Sequence, residues 1–83
     1  MDIREDLTWY MQSKLLSEDT GVTLQPETEV LRQGIIDSIG VFEVVGFLEE
    51  KCGIRIDDEE ITFDNFQTID AMAQFVSRKM QKS

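Results

Sequence analysis

A dense apolar segment in the middle of the chain limits the folds that the chain can adopt. Apolar side chains fill most positions from Ser38 to Cys52, charged ones form only a narrow stripe, and Gly53 follows as a C-terminal stop signal. This pattern predicts a mostly buried helix over about residues 38–52. A chain of 83 residues has room for one modest core, so we expect a single domain over residues 1–83.

Apolar periodicity predicts further helices on both sides of this segment. Asp2 and Glu5 have the spacing of a capping box and open a helix over roughly residues 3–16. Its apolar face comprises Ile3, Leu7, Tyr10, Met11 and Leu15. Thr68 caps a last helix that ends in basic residues suited to a helix C-terminus, Arg78, Lys79 and Lys82. The buried face of this last helix is expected to comprise Ile69, Met72, Ala73, Phe75 and Val76.

Two connecting segments complete the predicted fold. Asp57 and Glu60 have capping-box spacing and open one short helical turn through about Phe63, followed by a turn. The first loop is about twenty residues long, which is unusual. We expect apolar residues to hold it over the core: Val22, Leu24, Val30, Leu31, Ile35 and Ile36. The result is an all-α fold of three long helices and one short one, with a long first loop.

Charge and composition exclude several classes of function. With 8 basic and 17 acidic residues, the net charge of −9 argues against nucleic acid and anionic membranes and favours partners with basic patches. Histidine, the commonest general base, is absent. The single cysteine excludes an internal disulfide and indicates a reducing compartment. The sequence shows no membrane span and no signal peptide, so we expect a cytoplasmic protein.

Three features suggest chemistry but favour simpler interpretations. The acidic stretch "IDDEEITFDN" (56–65) lacks the glycine and the final glutamate of a calcium loop, so we expect a solvated helix start and no metal. Acidic neighbours raise the pKa of a thiol, so Cys52 is interpreted as a buried structural residue. Trp9 and Tyr10 have no basic residues interleaved and are interpreted as packing residues.

The stretch "GIIDSIG" (34–40) places Asp37 and Ser38 at the junction of the loop and the buried helix. One interpretation is an ordinary helix cap. The other is attachment of a phosphate-bearing group, because a helix N-terminus offers unpaired amides and a positive dipole end. The chain offers no base to activate Ser38, so a self-contained catalytic serine is not expected.

The segment "LRQGIIDSIGVFEVVGFLEEKCGIRI" (31–56) resembles the attachment-site region of acyl carrier proteins. The segment "IDDEEITFDNFQTIDAMAQFV" (56–76) resembles the third helix, loop and fourth helix of that family. The resemblance covers roughly residues 3–80 and implies a small four-helix bundle of the acyl carrier type. It implies that a phosphopantetheinyl transferase moves 4′-phosphopantetheine from coenzyme A to Ser38. The arm would carry an acyl group as a thioester, and the chain itself would be no enzyme.

The same resemblance implies a recognition surface for partner enzymes with basic patches. These partners would include an acyl- or aminoacyl-activating ligase and downstream synthases or transferases. The residues implied are Asp37, the apolar Ile39 and Val41, and the acidic Glu43, Glu49 and Glu50. Independently of the resemblance, the missing side chain of Gly46 is expected to leave a shallow notch where partners approach closely. A helix cap for Asp37 and a solvated face for the glutamates are the alternatives. The sequence departs from the family pattern at Gly40, Gly46 and Cys52.

Other interpretations stay open at this point. An aminoacyl or peptidyl carrier would have the same fold and chemistry, and a non-covalent acidic adaptor would have no arm. Because the chain begins at Met1 and ends in a short basic tail, we expect a free-standing protein rather than a part of a multimodular synthase. We also expect a monomer. If Phe42 and Phe47 both point inward, they fill the core, and the carried group is expected to be short or polar and held outside the bundle.

Overall fold

The computed structural model describes residues 2–16 and 23–81. Four α-helices follow one another along the chain: α1 (Ile3–Tyr10), α2 (Ser38–Cys52), α3 (Phe63–Phe66) and α4 (Ile69–Gln81). Across these two described ranges all regular structure is helical. The predicted all-α bundle with three long helices and one short one is therefore confirmed.

Helix α1 begins at an Asp2 cap, whose carboxylate accepts the Arg4 N–H at 3.0 Å. It continues into a π-helical turn, Met11–Leu15, so helical structure spans nearly all of the predicted 3–16. Leu7 and Met11 are fully buried. The other predicted apolar residues of this face are partly buried against the core: Ile3, Tyr10 and Leu15.

Helix α2 packs against α4 and has the predicted bounds. It ends at Gly53, whose φ of 66° is left-handed and therefore suits glycine. Its buried side chains recur at the spacing of one helical face: Val41, Val44, Val45 and Leu48. This face meets helix α4, where all five residues predicted to be apolar core are buried.

The segment between α2 and α4 differs from the prediction of one short helix through Phe63. A 3₁₀ turn, Asp58–Glu60, carries the predicted capping box but stops at Ile61. A second short helix, α3, then begins where a turn was expected. The cause is Thr62, whose hydroxyl accepts the Asn65 N–H at 3.2 Å and caps a new helix start.

The long first loop lies over the core as predicted. Leu24, Val30 and Ile36 are buried, and Leu31 and Ile35 are partly buried; Val22 and Lys82 lie outside the described residues. Two backbone hydrogen bonds fix the loop to the start of α4, from Val30 N–H to Gln67 O at 3.0 Å and from Asp70 N–H to Pro26 O at 2.9 Å. The loop thereby brings residues 31–36 against the start of α2.

Candidate functional site

Ser38 is the first residue of α2 and is exposed to solvent. The preceding residue, Asp37, is the N-cap, and its carboxylate accepts the Gly40 N–H at 3.0 Å. The cap therefore does not use the Ser38 hydroxyl, which is left available at the positive end of the helix dipole. The helix-cap interpretation thus applies to Asp37 rather than to Ser38.

An open, mainly apolar groove of about 450 Å³ adjoins Ser38. The loop supplies one side of the groove, α2 a second, and the segment leading into α3 a third. Phe42 on α2 and Phe63 on α3 are exposed large apolar side chains at this groove. The other lining residues are Leu31, Ile36, Asp37, Val41, Ile61, Thr62 and Phe66.

A smaller and more polar depression of about 320 Å³ lies on the other side of Asp37. The end of the π-helical turn forms one border through Lys14 and Leu15, and α2 forms the other through Ile39 and Glu43. Asp37 therefore borders both depressions, and the apolar one includes Ser38 in its lining.

Most of the predicted recognition residues lie together on α2. Ile39, Glu43, Gly46 and Glu50 are three or four residues apart, so they form one stripe of the helix. All except Gly46 carry side chains, all four are exposed, and Asp37 is exposed at the stripe's start. Their role in recognition remains a prediction.

Two predicted recognition residues have different surroundings. Val41 is only 7% exposed and lines the groove beside Ser38 rather than the outer stripe. Glu49 is partly buried, and its carboxylate accepts the Ile56 N–H at 2.9 Å. Glu49 therefore fixes the connector after α2 to the helix, in addition to any role in recognition.

The two phenylalanines of α2 do not both point inward, so the condition under which they would fill the core is not met. Phe42 is 60% exposed and lines the groove. Phe47 is partly buried and stacks on Tyr10, with 4.3 Å between the ring centroids. The helical spacing of the buried valines could have revealed this, because Phe42 falls between Val41 and Val44 and off their face.

Cys52 is only partly buried, whereas the sequence predicted a buried thiol, but its pKa is raised as predicted. Burial raises the pKa of the Cys52 thiol, and the Asp6 carboxylate raises it further. Within the described ranges, no three carboxylate or thiol side chains are grouped as a metal site requires. None of the described helices is long and apolar enough to cross a bilayer.

A small helical bundle that exposes a serine at a helix start beside an apolar groove has the architecture of a carrier domain. Residues 13–76 match the family model described as "Phosphopantetheine attachment site". Because this match covers most of the chain, the chain belongs to that family of carrier proteins, which perform no catalysis themselves. The resemblance inferred from the sequence is confirmed, and the chain contains a phosphopantetheine attachment site.

A curated relative matches part of the chain. The chain is 33% identical over 55 residues to "Probable acyl carrier protein PigG" of Serratia sp. (strain ATCC 39006). The match covers 66% of this chain and 63% of the relative. The chain thus spans less than two thirds of the length of this relative.

Proposed function

We propose that this protein is an acyl carrier protein and that Ser38 is the residue that receives the phosphopantetheine arm. The observation that carries the proposal is the position of Ser38, exposed at the start of α2 with its hydroxyl outside the cap. The family match supports a carrier with an attachment site, and the curated relative supports an acyl group as the cargo.

The matched segment offers few other serines. Ser13 is exposed, but it lies within the π-helical turn Met11–Leu15, where the backbone amides are used by helical hydrogen bonds. Ser17 lies outside the described residues. Ser38 adjoins the free amides of a helix start, which favour a phosphate group.

The residues around Ser38 fit a phosphopantetheine arm. The first-turn amides and the dipole of α2 favour the negative charge of its phosphate. The groove lined by Val41, Phe42 and Phe63 offers apolar contacts to the arm and to the apolar part of what it carries. The arm, when bound, supplies the thiol that holds the carried group.

The chain's own residues position and present this group and perform no reaction. Membership of the family implies modification by a phosphopantetheinyl transferase. A histidine is absent from the chain, so we assign the base and the metal ion of the modification reaction to the transferase. We further propose that ligases and synthases with basic patches dock on the exposed stripe of α2. We place the protein in the cytoplasm, where coenzyme A is available and where Cys52 is expected to stay reduced.

Intact mass spectrometry tests the proposal. Coenzyme A and a permissive transferase should add one phosphopantetheine to the wild-type chain and none to Ser38→Ala. The control Ser13→Ala should be modified like the wild type. Both variants should keep the helical circular dichroism, because neither hydroxyl caps a helix. Addition to Ser38→Ala would overturn the assignment, and a wild-type chain that several transferases leave unmodified would favour the non-covalent adaptor.

A further inference from the structure

The wall of the groove opposite α2 is a short irregular segment. Ile61 and Thr62 lie between the 3₁₀ turn and α3, and they line the groove together with Phe63, the first residue of α3. Ile61 lies outside both elements, and Phe63 is 45% exposed. A segment with so little helical structure of its own needs contacts from elsewhere to hold one position.

The contacts that hold this wall come from the last two turns of α4. Lys79 Nζ donates to both carboxylate oxygens of Glu60, at 2.7 Å and 3.0 Å, and both side chains of this ion pair are partly buried. Arg78 donates to Asn65 Oδ1 at 3.2 Å. These two anchor points, residues 60 and 65, bracket the three wall residues.

A further hydrogen bond joins the two anchor points directly. The Asn65 side chain donates to the backbone oxygen of Glu60 at 2.9 Å. On the core side, Phe66 packs against Phe75 of α4, with 5.7 Å between the ring centroids. The ammonium of Lys79 lies 5.8 Å from the centroid of the same Phe75 ring. Contacts with α4 therefore hold the wall in place, although α4 is distant from Ser38 in the sequence.

We propose that Lys79 and Asn65 are positioning residues that set the width of the groove beside Ser38. They act through the Glu60 clasp, defined here as Glu60, Asn65, Arg78 and Lys79. The inference rests on the proposed function, since the groove is expected to receive the apolar part of the group carried on Ser38. The clasp fixes one wall, and α2 fixes the other with Val41 and Phe42. The size and the protection of the carried group therefore depend on α4 as well as on α2.

The unmodified protein provides the first test. In Lys79→Met the apolar stem is kept and the ammonium is lost, so the amides of residues 61–63 should exchange about threefold faster by NMR, a change typical of a single partly exposed ion pair. The amides of residues 39–42 should exchange as in the wild type. Asn65→Ala should have the same effect, Lys79→Arg should restore protection, and Lys51→Met is the matched control without an effect.

The loaded protein provides the second test. An eight-carbon acyl group on the arm should shift the amides of residues 61–63 in the wild type and shift them less in Lys79→Met. The rate of phosphopantetheine addition should be the same in both proteins. The proposal would be overturned if the wall amides exchanged identically in Lys79→Met and the wild type. It would also be overturned if the exchange of the amides of residues 39–42 on α2 changed as much as that of the wall amides.

The two proposals fail in different ways. Absence of phosphopantetheine addition to Ser38 in the wild type would reject the proposed function, while the exchange measurement on the unmodified protein would still report on the clasp. Addition to Ser38 without any shift of the wall amides on acyl loading would retain the carrier function and reject the role of the groove and its clasp.

Discussion

Asp37 and Ser38 have separate roles at the start of α2, although both are residue types that cap helices. Asp37 takes the Gly40 N–H and leaves Ser38 exposed as the first helical residue. The sequence left open whether this junction is a helix cap or an attachment site, and the absence of Glu or Gln three residues after either residue favoured attachment. The extended backbone of Asp37, with φ −108° and ψ −169°, identifies Asp37 as the N-cap. These angles depend on the loop that leads into α2.

The thiol of Cys52 yields a prediction at the scale of one residue. Burial and, next, the Asp6 carboxylate raise its pKa above the ordinary value. We expect Asp6→Asn to lower this pKa and to speed alkylation of Cys52 at mildly alkaline pH. Alkylation followed by mass spectrometry from pH 7 to 10 measures the effect, with Asp2→Asn, a cap at the same helix end, as the control.

The same shift has a defined sign for stability. The pKa of the thiol is higher in the folded state than in the unfolded state, so the unfolded chain ionises first as the pH rises. In the wild type, the free energy of unfolding should fall as the pH rises from the pKa of the thiol in the unfolded state to its higher pKa in the folded state. In Cys52→Ser the fall should be smaller. A Cys52 thiol that ionises at the ordinary pKa of a free cysteine, both in the wild type and in the Asp6→Asn variant, would contradict the account.

At the scale of elements, packing explains one of the two glycines inside α2 and does not explain the other. A Cβ at Gly40 would lie 3.0 Å from the Cβ of Ile36, a buried loop residue whose Cβ cannot rotate away. A Cβ at Gly46 would meet nothing within 4 Å. Gly40 thus allows the loop to approach α2 beside the attachment site, whereas Gly46 is not required by packing.

This difference predicts that replacing glycine by alanine has opposite effects on stability at the two positions. Gly46→Ala should stabilise the fold by up to about 1 kcal/mol, the helix propensity difference between the two residues. Gly40→Ala gains the same propensity but forces the loop away, and overpacking of this kind costs about 1–3 kcal/mol, so the net effect should be destabilising. Urea unfolding of both variants measures the contrast, and equal stabilisation by both would show that the loop yields without cost.

The elements that the sequence predicted well are those with a long periodic apolar face. The bounds of α2 and the buried face of α4 follow from spacing, a glycine stop and the Thr68 cap, which accepts the Ala71 N–H at 2.9 Å. The segment around α3 was predicted poorly because its four helical residues are too few to show periodicity. The Thr62 cap was the available signal. The orientation of Phe42 was left open by the sequence, because apolar residues surround it there.

At the scale of the whole molecule, negative charge is concentrated around the proposed site. Residues 37–64 contain two basic residues, Lys51 and Arg55, and nine acidic ones: Asp37, Glu43, Glu49, Glu50, Asp57, Asp58, Glu59, Glu60 and Asp64. Such a field speeds encounters with basic partners and is screened by salt, because the Debye length falls from about 10 Å at 0.1 M to about 3 Å at 1 M.

The transferase reaction should therefore slow at high salt and in Glu43→Lys, a change on the exposed stripe of α2. Glu5→Lys is the matched control, because it makes the same change of charge in the first turn of α1. That turn is at the opposite end of the first helical segment from Lys14, which borders the depression beside Asp37. Initial rates of phosphopantetheine addition measure both effects. Equal slowing by the two substitutions would show that net charge acts without a local docking stripe.

If Ser38 alone carries the arm, fragmentation of the modified protein will locate it there. After reaction with coenzyme A and a transferase, the protein is digested and the peptides are sequenced by tandem mass spectrometry. The account predicts that the phosphopantetheine mass lies on Ser38 and on no other residue. Localisation of that mass to Ser13 or Ser17 would contradict it.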